Sequence, residues 1–403
     1  MSVRPGERAR TAAAKAAPPL RGAGAPRALY IHYPFCAHRC HYCDFSVTRA
    51  AAPPAHEWLE CLSRELSWWF GETGWEPPLP IESVFVGGGT PSLVGQDVPG
   101  GLGSLLNEWF ALSRDAEWTV ESNPASLTDA VAAAWRSAGA NRLSIGVQAF
   151  DDAVLSWLGR LHDRALAETA IAVGRRAGFD NLSIDLMFGL PETIERDLEA
   201  EVAVALETGV DHVSAYGLTI EPGTPLARQV GLGRVVPTAG GAYAREYRTI
   251  AGTLAAADLG HYEVSNFARA GRECRHNWYY WNRSSYLGIG PSAHGYLPPI
   301  RVWNAFRWDR YREVVRSGAG AVEGYESLGP AEEPLERLWL GLRTREGLGA
   351  DDPVWGEVLR ARLAEWEARD WLRRDGARLV ATTEGWLRLD ELVARLASDL
   401  ARL

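Results

Sequence analysis

From Ala28 to about Pro225 the chain repeats one pattern six times: a short apolar segment rich in β-branched residues, a polar or glycine-rich break, then a longer stretch of helical spacing. The strand segments read ALYIHY, IESVFVGGG, EWTVESN, RLSIGVQ, LSIDLMFG and HVSAYGL. Between them, AHEWLECLSRELSWWF, DDAVLSWLGRLHDRALAETAIAVGRRAG and ERDLEAEVAVALETG place apolar residues three and four apart, as amphipathic helices do. Such alternation predicts an α/β fold, a parallel sheet with helices outside, either open and doubly wound or closed towards a barrel. In both, ligands gather at the carboxyl ends of the strands. Cys36 to Cys43, Gly87 to Thr90, Glu121, Gln148 and Asp185 all fall at or just past such ends. Each alone reads as a turn residue, but five in register point to one site.

After Pro225 the alternation lapses into the aromatic-rich NWYYWNRSSYLGIGPSAHGY. Helical stretches follow, EEPLERLWLGLRT and PVWGEVLRARLAEWEARDWL, and then GARLVATTEGWLRLDELVARLASDL, which reads as a short strand pair and a helix. The expectation there is a small helical, winged-helix-like C-terminal domain.

Composition removes several classes of function. The formal net charge of -9 leaves no basic surplus to neutralise phosphates, which argues against nucleic acid as a partner. The single lysine, Lys15, lies in the opening TAAAKAAPPLRGAGAP, which reads as disordered. A Schiff-base or P-loop lysine in the folded body is therefore excluded. The opening has no continuous apolar core of a secretory signal, while an organelle transit signal stays open. No run reaches the roughly 18 to 20 apolar residues that span a bilayer, so no transmembrane segment is expected and only peripheral membrane contact stays open. Five cysteines form an odd set without framework spacing, which favours a reducing, cytoplasmic setting and a metal site over disulfides.

Three of those cysteines, Cys36, Cys40 and Cys43, are spaced CxxxCxxC within YIHYPFCAHRCHYCDF. Three thiolates can hold three irons of a [4Fe-4S] cube and leave the fourth iron open, whereas structural zinc usually takes four protein ligands. His38 and His41 stand close enough in sequence to complete a zinc site, so that alternative remains. FVGGGTPSL, from Phe85 to Leu93, has neither the GxGxxG order nor the GK[ST] of a P-loop, and its glycines would let backbone approach a ligand.

Together these residues resemble the radical S-adenosylmethionine (SAM) superfamily, whose cluster motif is CxxxCxxC with an aromatic before the third cysteine, here Tyr42. Within it the chain is similar to the oxygen-independent coproporphyrinogen III oxidases and their relatives, the HemW haem chaperones. VGGGTPSL, ESNPASL, NRLSIGVQAFDD, LGRLHD, IDLMFGLP and TIEPGTPL carry the likeness with the cysteine motif from about Leu29 to Leu226. GIGPSAHGY and GARLVATTEGW extend it over most of the chain.

The resemblance implies a partial (β/α)6 barrel at 27–235 after a disordered extension at 1–26, a connecting region at 236–325 and the C-terminal helical domain at 326–403. It implies that Cys36, Cys40 and Cys43 hold a [4Fe-4S] cluster whose open iron binds SAM, with Tyr30 and Tyr42 lining the SAM site. Gly88, Gly89 and Thr90 would hold the methionine end, and Glu121, Gln148, Arg160 and Asp185 would contact SAM. The chemistry suits these roles: a carboxylate such as Asp185 accepts from ribose hydroxyls, and a guanidinium such as Arg160 clamps a carboxylate. Taken alone, Arg160 would read as an exposed helix arginine.

Two features separate the subfamilies. Phe45 stands where the oxidases tend to carry a further cysteine, and HNWYYW, from His276 to Trp281, fits the HNxxYW signature associated with haem in the chaperones. A neutral imidazole offers an axial iron bond and aromatics offer flat apolar surface. The expected function is thus a haem chaperone with haem as cargo, His276 as its ligand, an unidentified acceptor protein and an electron donor for the cluster. The alternative is an oxidase that decarboxylates coproporphyrinogen propionates through a 5'-deoxyadenosyl radical, and no catalytic residue is assigned. Cys274 reads as an inert thiol, Cys61 as structural, and His294 as facing a cofactor pocket without an assigned role.

Overall fold

The computed structural model describes residues 18–330, 332–400 and 402, so most of the extension expected to be disordered lies outside the described residues. All six expected strands form: β1 Ala28–Tyr33, β2 Leu79–Gly88, β3 Phe110–Ser122, β4 Arg142–Gln148, β5 Asn181–Phe188 and β6 His212–Gly217. They pair in parallel and in chain order, each with the next. Their near-continuous apolar runs fit strands covered on both faces; in β1 only Tyr30 is less than fully buried. Outside lies a layer of helices. The longest, Ala55–Thr73, buries Trp58, Leu62, Leu66 and Trp69 against the sheet, and Trp58 Nε1 donates to the His32 carbonyl at 3.0 Å.

Two expectations are revised. DDAVLSWLGRLHDRALAETAIAVGRRAG is two helices, Asp152–Trp157 and Arg164–Arg176, because Gly159 turns left-handed at φ 69° and Asp163 caps the second helix by accepting from Leu166 N. Local chain-breaking chemistry there overrides the apolar spacing. The region after Pro225 also completes the same sheet, adding β7 Gly260–Glu263, β8 Asn266–Ala268, β9 Tyr286–Ile289, β10 His294–Leu297, β11 Ile300–Asn304 and β12 Val322–Ser327.

The order across the twelve-stranded sheet is β12-β11-β10-β9-β1-β2-β3-β4-β5-β6-β8-β7. β9 joins β1 in parallel, while the strands beyond it and beyond β6 run antiparallel, so the parallel core is a partial barrel with both edges extended. Short strands of three to six residues carry too little periodicity to be read from sequence.

The C-terminal region sets helices Glu332–Leu342, Gly356–Ala368 and Leu389–Leu400 around a three-stranded antiparallel sheet. It is fastened to the β7 edge by Glu263, wholly buried, which meets the Arg343 guanidinium at 3.0 Å, and to helix Gly240–Ala256 by an Arg248–Glu384 ion pair.

A cysteine-lined cleft at the strand ends

The glycine-rich exit of β2 is stitched to the segment that carries the first cysteine. Gly89 N donates to the Tyr33 carbonyl at 2.7 Å and Thr90 N to the Phe35 carbonyl at 2.8 Å. A Cβ on Gly89 would sit 2.5 Å from the Phe35 oxygen and 2.8 Å from the Tyr33 oxygen, both backbone atoms that cannot swing aside. Gly89→Ala is therefore expected to lower the thermal midpoint and cluster loading together. Iron content and melting temperature equal to wild type would refute the close packing.

Cys36, Cys40 and Cys43 are half-buried free thiols on the loop that follows. Thr90 Oγ1 donates to Cys36 Sγ at 3.3 Å and Arg160 Nη1 to Cys40 Sγ at 3.6 Å. Burial pushes the Cys36 thiol up to about 11 and raises Cys43, so a cation must replace the protons before these sulfurs become anionic ligands. Among the described residues no three His, Cys, Asp or Glu side chains converge as a single ion would require. The sulfurs instead line a cleft of about 380 Å³, and three cysteine donors with hydrogen bonds to two sulfurs fit a cube that takes three protein ligands. When bound, such a cluster supplies an open iron position and one electron. His38 lines the same cleft, whereas His41 packs edge-on against Trp157.

Eight of the nine residues expected around SAM converge on this cleft: Tyr42, Gly88, Gly89, Thr90, Glu121, Gln148, Arg160 and Asp185. Arg160 reaches it because of the break between the two helices, where Nη2 donates to the Gly146 carbonyl at 2.7 Å. Gln148 holds a left-handed φ of 72°, a backbone strain that non-glycine residues rarely carry and that is found at functional sites. Glu121 Oε2 accepts from Gly88 N at 3.0 Å. Burial, with Asp185 close by, pushes the Glu121 carboxyl up to about 7; burial likewise pushes Asp185 up to about 6, against the pull of Ser214, Arg142 and Arg160. One wall of the cleft thus accepts hydrogen bonds and another donates them, which suits a zwitterion carrying hydroxyl groups. Asn123, Gly146, Met187 and Tyr216 also line it. Asn123 sits in ESNPASL, Gly146 in NRLSIGVQAFDD and Met187 in IDLMFGLP, signals that could have been used, whereas Tyr216 lies outside those motifs.

The ninth residue stands beside these, in a cleft that shares Phe45, Gly88 and Glu121 with the first. Tyr30 lines an adjoining cleft and pairs through its hydroxyl with His32 Nδ1 at 3.0 Å. His276, expected to meet haem, is wholly buried in the barrel. Its Nδ1 pairs with Ser83 Oγ at 2.9 Å and its Nε2 with the Tyr280 hydroxyl at 2.8 Å, so neither ring nitrogen is open to iron. Its own amide donates to Glu117 Oε1 at 3.1 Å, and the motif helix Arg275–Trp281 is held beneath β3. Cys274, buried beside Glu117, has its thiol pushed up to about 12, and buried Cys61 has its thiol pushed up to about 11, which agrees with the inert and structural readings.

A cysteine-lined cleft at the carboxyl ends of a partial barrel defines a radical SAM protein, and the sequence profile of the Radical SAM superfamily matches residues 30–203. The HemW haem chaperone of Mycobacterium tuberculosis is 37% identical over 378 residues, which cover 93% of this chain and 95% of that protein. The Bacillus subtilis HemW haem chaperone is 35% identical over 323 residues, 80% of this chain and 84% of its own. A mitochondrial mouse protein, radical S-adenosyl methionine domain-containing protein 1, is 36% identical over 406 residues, 95% and 90% of the two chains. The chain belongs to the HemW family. Its fold matches the coproporphyrinogen III oxidase (HemN) structure from Escherichia coli with a TM-score of 0.76 at 21% identity, covering 93% of this chain and 90% of that one.

Proposed function

We propose that this protein is a haem chaperone: it binds haem as cargo and passes it to an acceptor protein, while its cysteine-lined cleft holds a [4Fe-4S] cluster and SAM. The observation that carries this reading is the likeness, along nearly the whole length, to the M. tuberculosis haem chaperone. The cysteine motif supports it, because it ends on Phe45 and not on a further cysteine.

In this reading Cys36, Cys40 and Cys43 ligate three irons, with Thr90 and Arg160 steadying two sulfurs. Gly88, Gly89 and Thr90 meet the methionine end of SAM. Glu121, Gln148 and Asp185 accept from its amine and hydroxyls, Arg160 faces its carboxylate, and Tyr42 shields the cluster. Residues 27–235 then carry the cofactors, 236–325 the cargo and 326–403 a C-terminal helical domain. An electron donor reduces the cluster, and the setting is the cytoplasm. Among the described residues no helix is long and apolar enough to cross a membrane.

The test uses anaerobically reconstituted protein with SAM and reductant. Haem should bind, move to an added apo haem protein, and leave coproporphyrinogen III unchanged. Formation of protoporphyrinogen would overturn the chaperone reading in favour of the oxidase.

A further inference from the structure

We propose that His162 is a positioning residue of the cofactor cleft: through the carbonyl of Val147 it holds Gln148 in the left-handed conformation that lays the Gln148 amide across Gly146 at the SAM site. The inference rests on the reading above that the cleft binds SAM, and it gives a role to the part of LGRLHD beyond Arg160.

β4 does not leave the sheet smoothly. Its pairing with β5 shifts register between Ile145 and Gln148, and the φ of 72° at Gln148 is one that a residue with a Cβ keeps only where its surroundings hold it there. Two consecutive carbonyls of that exit each accept from one side chain: Gly146 from Arg160 Nη2 at 2.7 Å, and Val147 from His162 Nε2 at 2.9 Å. Both donors stand on the short link between helices Asp152–Trp157 and Arg164–Arg176. There Arg160 and His162 face the β4 exit, while Leu161 between them is 58% exposed. Beyond Gln148 the amide of Phe150 donates to buried Glu201 Oε2 at 2.8 Å, so the chain is pinned on either side of it. The Gln148 amide is close-packed as well. A Cβ on Gly146 would sit 2.9 Å from Gln148 Nε2 and 3.5 Å from Arg160 Nη2, so the missing side chain leaves the amide its room.

The chemistry of the ring fits this role. A carbonyl only accepts, so His162 Nε2 carries the ring proton and Nδ1 is bare. Nδ1 is buried and has no hydrogen-bond partner among the described residues. Leaving a buried polar atom unpaired costs stability, a cost that leucine at this position would not carry, and the bond to Val147 is what the histidine gains over leucine. Burial and the Arg160 charge push the imidazole down to about 4, so the ring is neutral and the donor stays in place near pH 7. His162 does not line the cleft, so its effect on a ligand there passes through the Val147–Gln148 peptide. A primary amide presents an acceptor on one side and donors on the other, so its aim decides which of them the ligand meets.

The experiment titrates SAM into full-length, anaerobically reconstituted protein and reads Kd and the change that SAM makes in the EPR spectrum of the reduced cluster. The proteins are wild type, His162→Leu, His162→Gln, Gln148→Ala and the double variant His162→Leu with Gln148→Ala. His162→Leu should keep the iron content of wild type and bind SAM about tenfold more weakly. His162→Gln, whose amide can donate to the same carbonyl, should restore Kd to within about threefold of wild type. In the double variant, His162→Leu should add less than about twofold to the loss caused by Gln148→Ala, because the two residues act as one unit. Where His162→Leu does not fold, His162→Asn, whose shorter amide falls short of Val147, takes its place. Wild-type affinity in His162→Leu would overturn the positioning role and leave the SAM reading standing. So would losses that add in the double variant, or a His162→Gln protein as weak as His162→Leu. A cluster-loaded wild type that shows no SAM-dependent change would overturn both.

Discussion

Cys40→Ala is expected to abolish cluster assembly. Anaerobic reconstitution of the wild type should give about four irons and four sulfides per chain, and the variant should hold close to none of either. A cube ligated by three thiolates has no substitute for a lost one here, because the remaining cysteines are buried, Cys61 within helix Ala55–Thr73 and Cys274 beside Glu117. The variant should still fold, since Cys40 is half-buried on a loop and its sulfur meets only the Arg160 guanidinium at 3.6 Å and the Tyr42 side chain among the described residues. SAM affinity should fall with the iron, since the open coordination position is lost. Full iron and sulfide in Cys40→Ala would sink the ligand assignment. One zinc per chain without sulfide in the wild type would favour the mononuclear site in which His38 takes part.

The largest loss of stability is expected from Glu65→Ala. Glu65 is buried on helix Ala55–Thr73 and accepts four hydrogen bonds: Gly290 N at 2.8 Å, Asn304 Nδ2 at 2.6 Å, the Tyr311 hydroxyl at 2.6 Å and Trp69 Nε1 at 3.4 Å. Removing the carboxyl strands four buried donors at once, which costs about 3–5 kcal/mol. Denaturant unfolding measures it, and a loss below about 1 kcal/mol would contradict the network.

The same residue sets a pH dependence. Burial raises the Glu65 carboxyl from 4.5 to about 7, despite the donors that pull it down. A folded pKa above the unfolded one means that the folded state binds the extra proton. Its contribution is complete below about pH 4.5 and is lost as the pH rises through about 7. Glu121 shifts to about 7 and Asp185 to about 6, in the same direction. The ligand-free protein should thus lose about 1 kcal/mol of stability between pH 6 and pH 8 for each carboxyl near 7, and Glu65→Gln should remove one such increment. Identical pH slopes in wild type and variant would rule out Glu65 as a contributor.

Much of the cofactor site was legible in the chain, for a geometric reason. Parallel strands deliver their carboxyl-terminal residues to one edge, so Cys36, Gly88, Glu121, Gln148 and Asp185 could be grouped from strand ends alone. Arg160 was legible only through resemblance, since the apolar spacing around it reads as one helix, and the Gly159 and Asp163 break that aims it at Cys40 is a local effect. The strand that carries Tyr30 was legible, but that its ring would line the adjoining cleft and pair with His32 was not. The surroundings of His276 were equally out of reach. A histidine among aromatics looks the same in sequence whether its ring meets solvent, a ligand or, as here, Ser83 on a strand 193 residues away.

The sequence by itself determined the alternation of strands and helices, the three-cysteine motif and the exclusion of lysine chemistry, because periodicity, spacing and composition are local properties of a chain. Only the tertiary structure decided that β9 to β12 extend the barrel edge and that His276 is enclosed there. It also decided that His294 stands exposed beside the cleft that Tyr30 lines. Burial and hydrogen-bond partnership arise from segments distant in sequence, and no local pattern encodes which of two histidines the fold will bury.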